Sequence, residues 1–376
     1  MTMIAMTLNR GVPIIIGDIL ISGNEKPPDF ILPSRAEDIL SYLSSDAEMH
    51  PVFLNRKIYI PKQNVCIAFA GNLSVIKSFI QDLTIFCNAL DKVTATSMQN
   101  FLTGYGLTRG HGISFLMLVA EEVNGMFETM TVTHGDWDKI ISPLFGSVLS
   151  TGSGSDNFIE EVMEAAEFFS ALPLEGVEIA AQANVILLCK LLSLERIGLK
   201  NVKRFWGAGF EMIYLVRGGF KHFDNITYVI NHARFDGNGD IEIPIPEIIM
   251  HYRYIGEKLI ITAIHPLKGE TEIDGDAIII RYKEFTERPF IAEPIYCSGI
   301  SDDGNSLIDP SFSSERVAMG YVIETRTGDF LPASFNAGPE LVVKYEYPDL
   351  LVITMHKELN DRLAREAKKV FINRKF

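Results

Sequence analysis

Threonine occupies position 2, directly behind the start methionine and directly ahead of an alternating apolar run, "MIAMTLN". Removing a start methionine before so small a residue leaves a threonine with a free α-amine. That residue then carries a hydroxyl nucleophile and, on the same Cα, an amine of pKa about 7.7–8 that can act as its general base. A strand starting at residue 3 would hold the pair rigidly, as attack on a carbonyl demands. A threonine in second place also follows from methionine removal alone, with no chemistry attached.

Two charged residues could serve such a nucleophile. Asp18 ends the second apolar run and Lys57 opens "KIYI". A lysine beside an α-amine biases it toward the neutral form and stabilises the alkoxide developing on the hydroxyl, and an aspartate can anchor that lysine. A salt bridge at a sheet edge explains the same two residues. In "FAGN", Gly71 stands between a strand and a long helix, where a backbone N–H without an intrahelical partner suits an oxyanion. A plain strand-to-helix turn uses glycine too. "TGSGSD", residues 151–156, lacks the Gly-Lys-Ser/Thr of a phosphate loop and the spacing of G-x-S-x-G, so capping of the next helix is its default role.

Metal chemistry finds weaker support. "HKELN" at His356 is not H-E-x-x-H. "DGNGDIEIPIPE" sets Asp236, Asn238, Asp240 and Glu247 at calcium-loop positions, but Ile241 stands where the loop's turn needs glycine, which leaves a surface turn. His111 in "RGHG" has no partner within reach along the sequence. Neither a metal nor a cofactor is expected.

The elements that must position these residues follow from periodicity. Residues 3–8 and 12–16 read as strands around a turn at Asn9 and Gly11, and "KIYIPKQNVCIAFAG" repeats the pattern. A helix is expected over 73–90, with Val75, Ile76, Phe79, Ile80 and Leu83 at helical spacing, and another over 97–105. "GISFLMLVAEE" and "MFETMTVTH" form an antiparallel pair, helices follow at 157–169 and 177–194, and "FEMIYLV" and "NITYVIN" are again strands. Between Asp18 and Lys57 a proline-interrupted segment holds one expected helix, "SRAEDILSYL". From about residue 236 strands dominate until a last helix over 357–371, so a boundary is placed near 236. Hairpins and paired helices point to stacked helical and sheet layers, not to a parallel βαβ progression.

Composition sets the remaining bounds. A chain of 376 residues that is 47% hydrophobic can bury a large core, and a net charge of −14 argues against nucleic acid as a partner. Cys66, Cys87, Cys189 and Cys297 stand far apart with no C-x-x-C, as buried thiols of a reducing compartment do. "ANVILLCKLLSL" is too short to span a bilayer, and no leader pattern opens the chain. A cytoplasmic protein without membrane contact is expected.

Taken in order, "TMIAMTLNRGVPIIIGD", "KIYIPKQNVCIAFAG" and "STGSGSDNFIEEV" resemble the proteasome β-type family of N-terminal nucleophile (Ntn) hydrolases, which includes the bacterial HslV peptidase. The intervals from Thr2 to Asp18, Lys57 to Gly71 and Gly71 to Ser153 match that family. The resemblance implies Thr2 as nucleophile, Lys57 as the catalytic lysine and Asp18 as the carboxylate that positions it. It implies Gly71 as the oxyanion glycine, Ser153 as the serine near the amine, and Ser22 as a backbone partner for an extended substrate strand. It covers residues 2–235 and implies an α+β fold: a four-layer αββα sandwich of the proteasome type, extended by a β-rich C-terminal region over 236–376. The implied activity is that of a threonine-type peptidase or amide hydrolase acting on a peptide or protein substrate. Closed homo-oligomers, with an unfoldase or another protein as partner, belong to the same expectation.

Three departures stand beside it. The insertion over 19–56 is far longer than the family's connection. The family's later Asp, followed by Ser-Gly-Gly, is replaced by "NVKRFWGAGF", and Ser193 lies in the wrong local context. Residues 236–376 have no family counterpart. The missing Asp and Ser, with the long insertion, favour the alternative of a catalytically inactive structural or partner-binding subunit.

Overall fold

The computed structural model describes residues 2–9, 11–35, 37–43, 48–106, 112–124, 126–169, 178–198, 201–235, 241–242, 246–296, 309–324, 330–337 and 340–373. Among these, five α-helices and extensive sheets make a mixed α/β structure. Strands β1 (Met3–Asn9), β2 (Val12–Asp18), β3 (Leu20–Gly23), β4 (His50–Arg56), β5 (Ile58–Lys62) and β6 (Val65–Gly71) precede helices α1 (Leu73–Asn88) and α2 (Ala95–Tyr105). Then come β7 (Ile113–Val123), β8 (Met126–His134), β9 (Asp138–Ser142), β10 (Gly146–Gly152), α3 (Ser155–Phe169) and α4 (Glu178–Gly198). Strands β11 (Phe210–Val216), β12 (Gly219–His222), β13 (Ile226–Phe235), β14 (Ile241–Glu242) and β15 (Ile248–Ile255) follow. The chain closes with β16 (Lys258–Asp274), β17 (Ala277–Pro294), β18 (Phe312–Ser314), β19 (Val317–Glu324), β20 (Phe330–Asn336), β21 (Leu341–Glu346), β22 (Leu350–His356) and α5 (Lys357–Asn373).

The first sheet runs β12-β11-β2-β1-β10-β9, and the second β5-β6-β7-β8. The central strands β1, β2, β6 and β7 are nearly continuous apolar runs because both of their faces are covered. In β2, Ile14 and Ile16 enter one core and Ile15 the other. In β7, Phe115, Met117 and Val119 face α1 and α2, while Leu116, Leu118 and Ala120 share a core with Ile4 and Met6 of β1. Asn72 caps α1 by accepting from Ser74 N at 3.0 Å and Val75 N at 3.3 Å. Helix α4 is apolar nearly all round, as befits a helix packed between the first sheet and β19–β20. Its Lys190 is buried and paired with Glu161 of α3 at 2.7 Å.

The third sheet has twelve strands, ordered β18-β21-β22-β17-β16-β15-β13-β19-β20, with β14 on β13 and the insertion strands β3 and β4 joined through β17. Strand β13 pairs antiparallel with β15 and parallel with β19. The insertion and the C-terminal region therefore share one sheet. The helix expected at "SRAEDILSYL" does not form; a single 3-10 turn stands at Leu40–Tyr42. Asp38 instead accepts from Phe30 N at 2.8 Å and Leu40 N at 3.2 Å, and Ile39 N donates to the Phe30 carbonyl at 3.0 Å. This local side-chain capture of backbone amides competes with a helical ladder.

Candidate active site

Register brings the first residues together. Met3 pairs with Gly152 of β10 and Ile4 with Gly17 of β2, so Thr2 lies between the ends of two neighbouring strands. One of those ends carries Ser153 and the other Asp18. The Thr2 N–H donates to Ser153 Oγ at 3.2 Å. Its hydroxyl donates to Asp18 Oδ1 at 2.8 Å, and the Met3 N–H reaches the same oxygen at 2.8 Å. Lys57, at the junction of β4 and β5, sends its ammonium to Asp18 Oδ1 at 2.5 Å and to the Leu20 carbonyl at 2.7 Å. Thr2, Asp18 and Lys57 are all buried.

Electrostatics follow from that burial. Loss of water holds the Lys57 ammonium below the ordinary lysine range, and the pull of Asp18 works in the opposite sense. Asp18 is satisfied on both oxygens, because Oδ2 accepts the Gly207 N–H at 2.9 Å from the loop before β11. A lysine so placed shares one carboxylate oxygen, Asp18 Oδ1, with the Thr2 hydroxyl.

A second buried carboxylate supports the lysine's backbone. Glu211 of β11 accepts from Lys57 N at 2.5 Å and Ile58 N at 2.8 Å through Oε1, and from Arg56 Nε at 3.1 Å through Oε2. Burial raises its pKa, favouring the neutral form, while Arg56 and the amides oppose that. Arg56 also lies 5.0 Å from the Tyr254 ring centre and bonds the Glu257 carbonyl at the β15–β16 turn. The C-terminal sheet thus touches the residue next to Lys57. His222 stacks on Tyr254 and sits against Arg56 Nη2, and burial drives its pKa down to about 3.

Gly71 and Ser22 make no hydrogen bond to this cluster among the described residues. Gly71 ends β6 at φ +117, and a Cβ there would collide with the Gly112 carbonyl. Its neighbour Ala70 shares a core with Ile4, two residues from Thr2. Ser22 lies opposite Pro51 in the β3–β4 pair, its Oγ buried and with no hydrogen-bond partner among the described residues. Ser193 is inside α4, donating to the Cys189 carbonyl at 2.8 Å, and takes no part. In the loop before β11, buried Trp206 packs against Gly154 and shares a core with Met3.

Arg56, Glu211 and the Gly207 amide escaped the sequence reading. Only the glycine pair of "WGAG" hinted at a tight loop. Met1, His111, Cys297 and the calcium-loop residues Asp236, Asn238 and Asp240 lie outside the described residues, whereas Glu247 is bonded to Arg196 and His232. Among the described residues no cluster of His, Cys, Asp and Glu could hold a metal, and no helix is long and apolar enough to cross a membrane. Cys66, Cys87 and Cys189 are buried free thiols, Cys87 pushed up to about 11 by burial and Cys189 to about 12.

No family model matches the chain. No curated protein matches it. Among solved structures it is similar to eukaryotic HslV from Trypanosoma brucei, at 13% identity and a TM-score of 0.34, over 57% of this chain and 99% of that one.

Proposed function

We propose that this chain is a threonine-type amide hydrolase of the Ntn class, with Thr2 as nucleophile after Met1 is removed. One observation carries the reading: the Thr2 hydroxyl and the buried Lys57 ammonium converge on the same Asp18 oxygen, with Ser153 on the Thr2 nitrogen. A salt bridge alone has no use for the hydroxyl of residue 2 on its shared oxygen. In the reaction, Thr2 Oγ1 attacks the substrate's carbonyl carbon and its proton passes to the α-amine. Lys57 stabilises the developing alkoxide, and the Gly71 N–H is the proposed oxyanion donor. The tetrahedral adduct collapses, the C–N bond breaks, and the leaving amine takes the proton from the α-amine. Water, deprotonated by the same amine, then hydrolyses the Thr2 ester.

The core clusters support a finer fold reading as well. Helices α1 and α2, the β5–β8 sheet, the β1-containing sheet and helices α3 and α4 stack in that sequence of shared cores, which we read as a four-layer αββα sandwich. A peptide or protein substrate, cytoplasmic location and a closed homo-oligomer complete the proposal.

The second reading, an inactive structural subunit, is favoured by the loop at Trp206, where the resemblance implies an Asp and a Ser and the chain has neither. Intact mass of the purified protein, before and after exposure to a peptide vinyl sulfone, separates the two. Loss of Met1 and one adduct, absent in Thr2→Ala, are expected. A processed but unreactive protein establishes the scaffold reading instead.

A further inference from the structure

The loop over 201–209 has an unusual backbone. Phe205, Gly207, Ala208 and Gly209 all have positive φ, at 63°, 109°, 62° and 120°. Alanine in this region is strained, so the surroundings must hold it there. Successive amides in the loop point at two different buried carboxylates: Gly207 N–H at Asp18 Oδ2, and Ala208 N–H at Glu195 Oε2, each at 2.9 Å.

Glu195 lies near the C-terminal end of α4, fully buried, with no cation among its described partners. Its Oε2 also accepts from Asn201 Nδ2 at 2.8 Å, at the opposite end of the same loop. Its Oε1 is met by the Ser34 hydroxyl, from the insertion. A Cβ on Gly207 would come within 2.6 Å of Glu195 Oε2, so carboxylate and loop are in direct contact. The insertion closes over the other side, where Leu32, Ile39 and Leu40 share a core with Val202 and Ala208. A buried carboxyl without a cation is costly, and nothing in the proposed chemistry uses this one.

We propose that Glu195 is a positioning residue for the Thr2 site: by gripping Asn201 and Ala208 it sets the loop so that the Gly207 amide engages Asp18, with Ser34 of the insertion as its brace. Asp18 in turn orients both the Thr2 hydroxyl and Lys57. The proposal rests on the hydrolase reading for its catalytic consequence, but the grip itself is a structural matter that can be measured separately.

The test uses the full chain and three variants. Glutamine is the conservative one: its oxygen can accept from both Asn201 and Ala208, and its NH2 can donate to Ser34 Oγ. Glu195→Leu removes every acceptor. Glu195→Asp keeps a carboxylate but withdraws it by one methylene, and serves if Glu195→Leu does not fold. Two readouts are taken: the rate and final extent of Thr2 labelling by the peptide vinyl sulfone, and amide exchange in the 201–209 peptide. Global destabilisation lowers the extent of labelling; a misplaced Asp18 lowers the rate constant of a population that still labels completely.

Glu195→Gln is expected to label within about twofold of the unaltered rate, and Glu195→Leu or Glu195→Asp to label completely but about tenfold slower or worse, the usual scale for outer partners of a reactive group. Exchange at Gly207 and Ala208 rises in the slow variants and not in Glu195→Gln. Labelling of Glu195→Asp at the unaltered rate, with 201–209 still protected, overturns the proposal and leaves the hydrolase reading intact. If the unaltered protein never labels, the hydrolase reading falls and exchange alone decides. Protection lost in Glu195→Asp but kept in Glu195→Gln sustains the grip, and unchanged protection in both ends it.

Discussion

Three N–H or O–H donors and one ammonium share Asp18, which sets what can be expected of single residues. Lys57→Met keeps the apolar stem and deletes the charge. Asp18 retains Thr2, Met3 and Gly207 as donors, so the fold survives, while hydrolysis or probe labelling falls by about a hundredfold or more. An unchanged rate would return Lys57 to a structural salt bridge. A second residue-scale prediction concerns acid. His222 is held neutral down to about pH 3, against about 6.5 in an unfolded chain. Between those values the unfolded state binds one more proton at this site, so the residue's contribution to stability is complete above pH 6.5 and lost as pH falls. His222→Asn leaves an acceptor for Arg56 Nη2 and removes that proton. Its unfolding free energy should then fall less steeply on acidification, by up to about 1.4 kcal/mol per pH unit, read from denaturant unfolding between pH 6 and 4. An unaltered slope would remove His222 from the account.

At the scale of elements, the site is made by strand ends. Thr2, Asp18 and Ser153 come from three neighbouring strands of one sheet, while Lys57 arrives on the chain that enters the other. Gly71 ends β6 with a backbone that L residues rarely adopt and with no room for a Cβ. Gly71→Ala is expected to cost about 1–3 kcal/mol of stability and to lower the thermal midpoint, whether or not its amide has a catalytic use. A variant as stable as the parent would show that the β6–α1 turn adapts freely. The insertion shows how far periodicity reaches. Its "SRAEDILSYL" has helical spacing, but Asp38 is spent on the amides of Phe30 and Leu40, and Ser34 on Glu195. The apolar residues become a small core under the 201–209 loop.

For the whole molecule, the twelve-stranded sheet is not a detachable appendage. Strand β13 is paired on both sides by β15 and β19, and α4 packs on β19 and β20 as well as on the first sheet. A chain ending at residue 235 would expose that face of α4 and leave β13 unpaired on both edges, a known route to aggregation. We therefore expect the truncated chain to be insoluble or unfolded. A soluble, cooperatively folding fragment would contradict this. The full chain at micromolar concentration is expected to form a closed homo-oligomer by light scattering, and a strict monomer would defeat that part of the proposal.

What the sequence determined by itself was most of the elements outside the insertion and four of the residues that meet, Thr2, Asp18, Lys57 and Ser153. The reason is physical: β1, β2, β6 and β7 are buried on both faces, so their apolar runs are long and unmistakable, and Thr2 and Asp18 sit at the ends of such runs, with Ser153 directly behind β10. Lys57 was legible because it opens one. What only the tertiary structure decided was the support around them. Glu195 and Glu211 look like ordinary helix and strand residues, since a lone carboxylate in an apolar run gives no sign of which amides it will meet. Those amides belong to residues 57, 58 and 208, and the two glutamates reach them only after sheet, helix and insertion have packed. The pairing of β4 with β17 was equally unreadable, because a short strand carries no label for a partner more than two hundred residues away. Local pattern specifies an element; its neighbours are specified by the packing of faces that no local pattern contains.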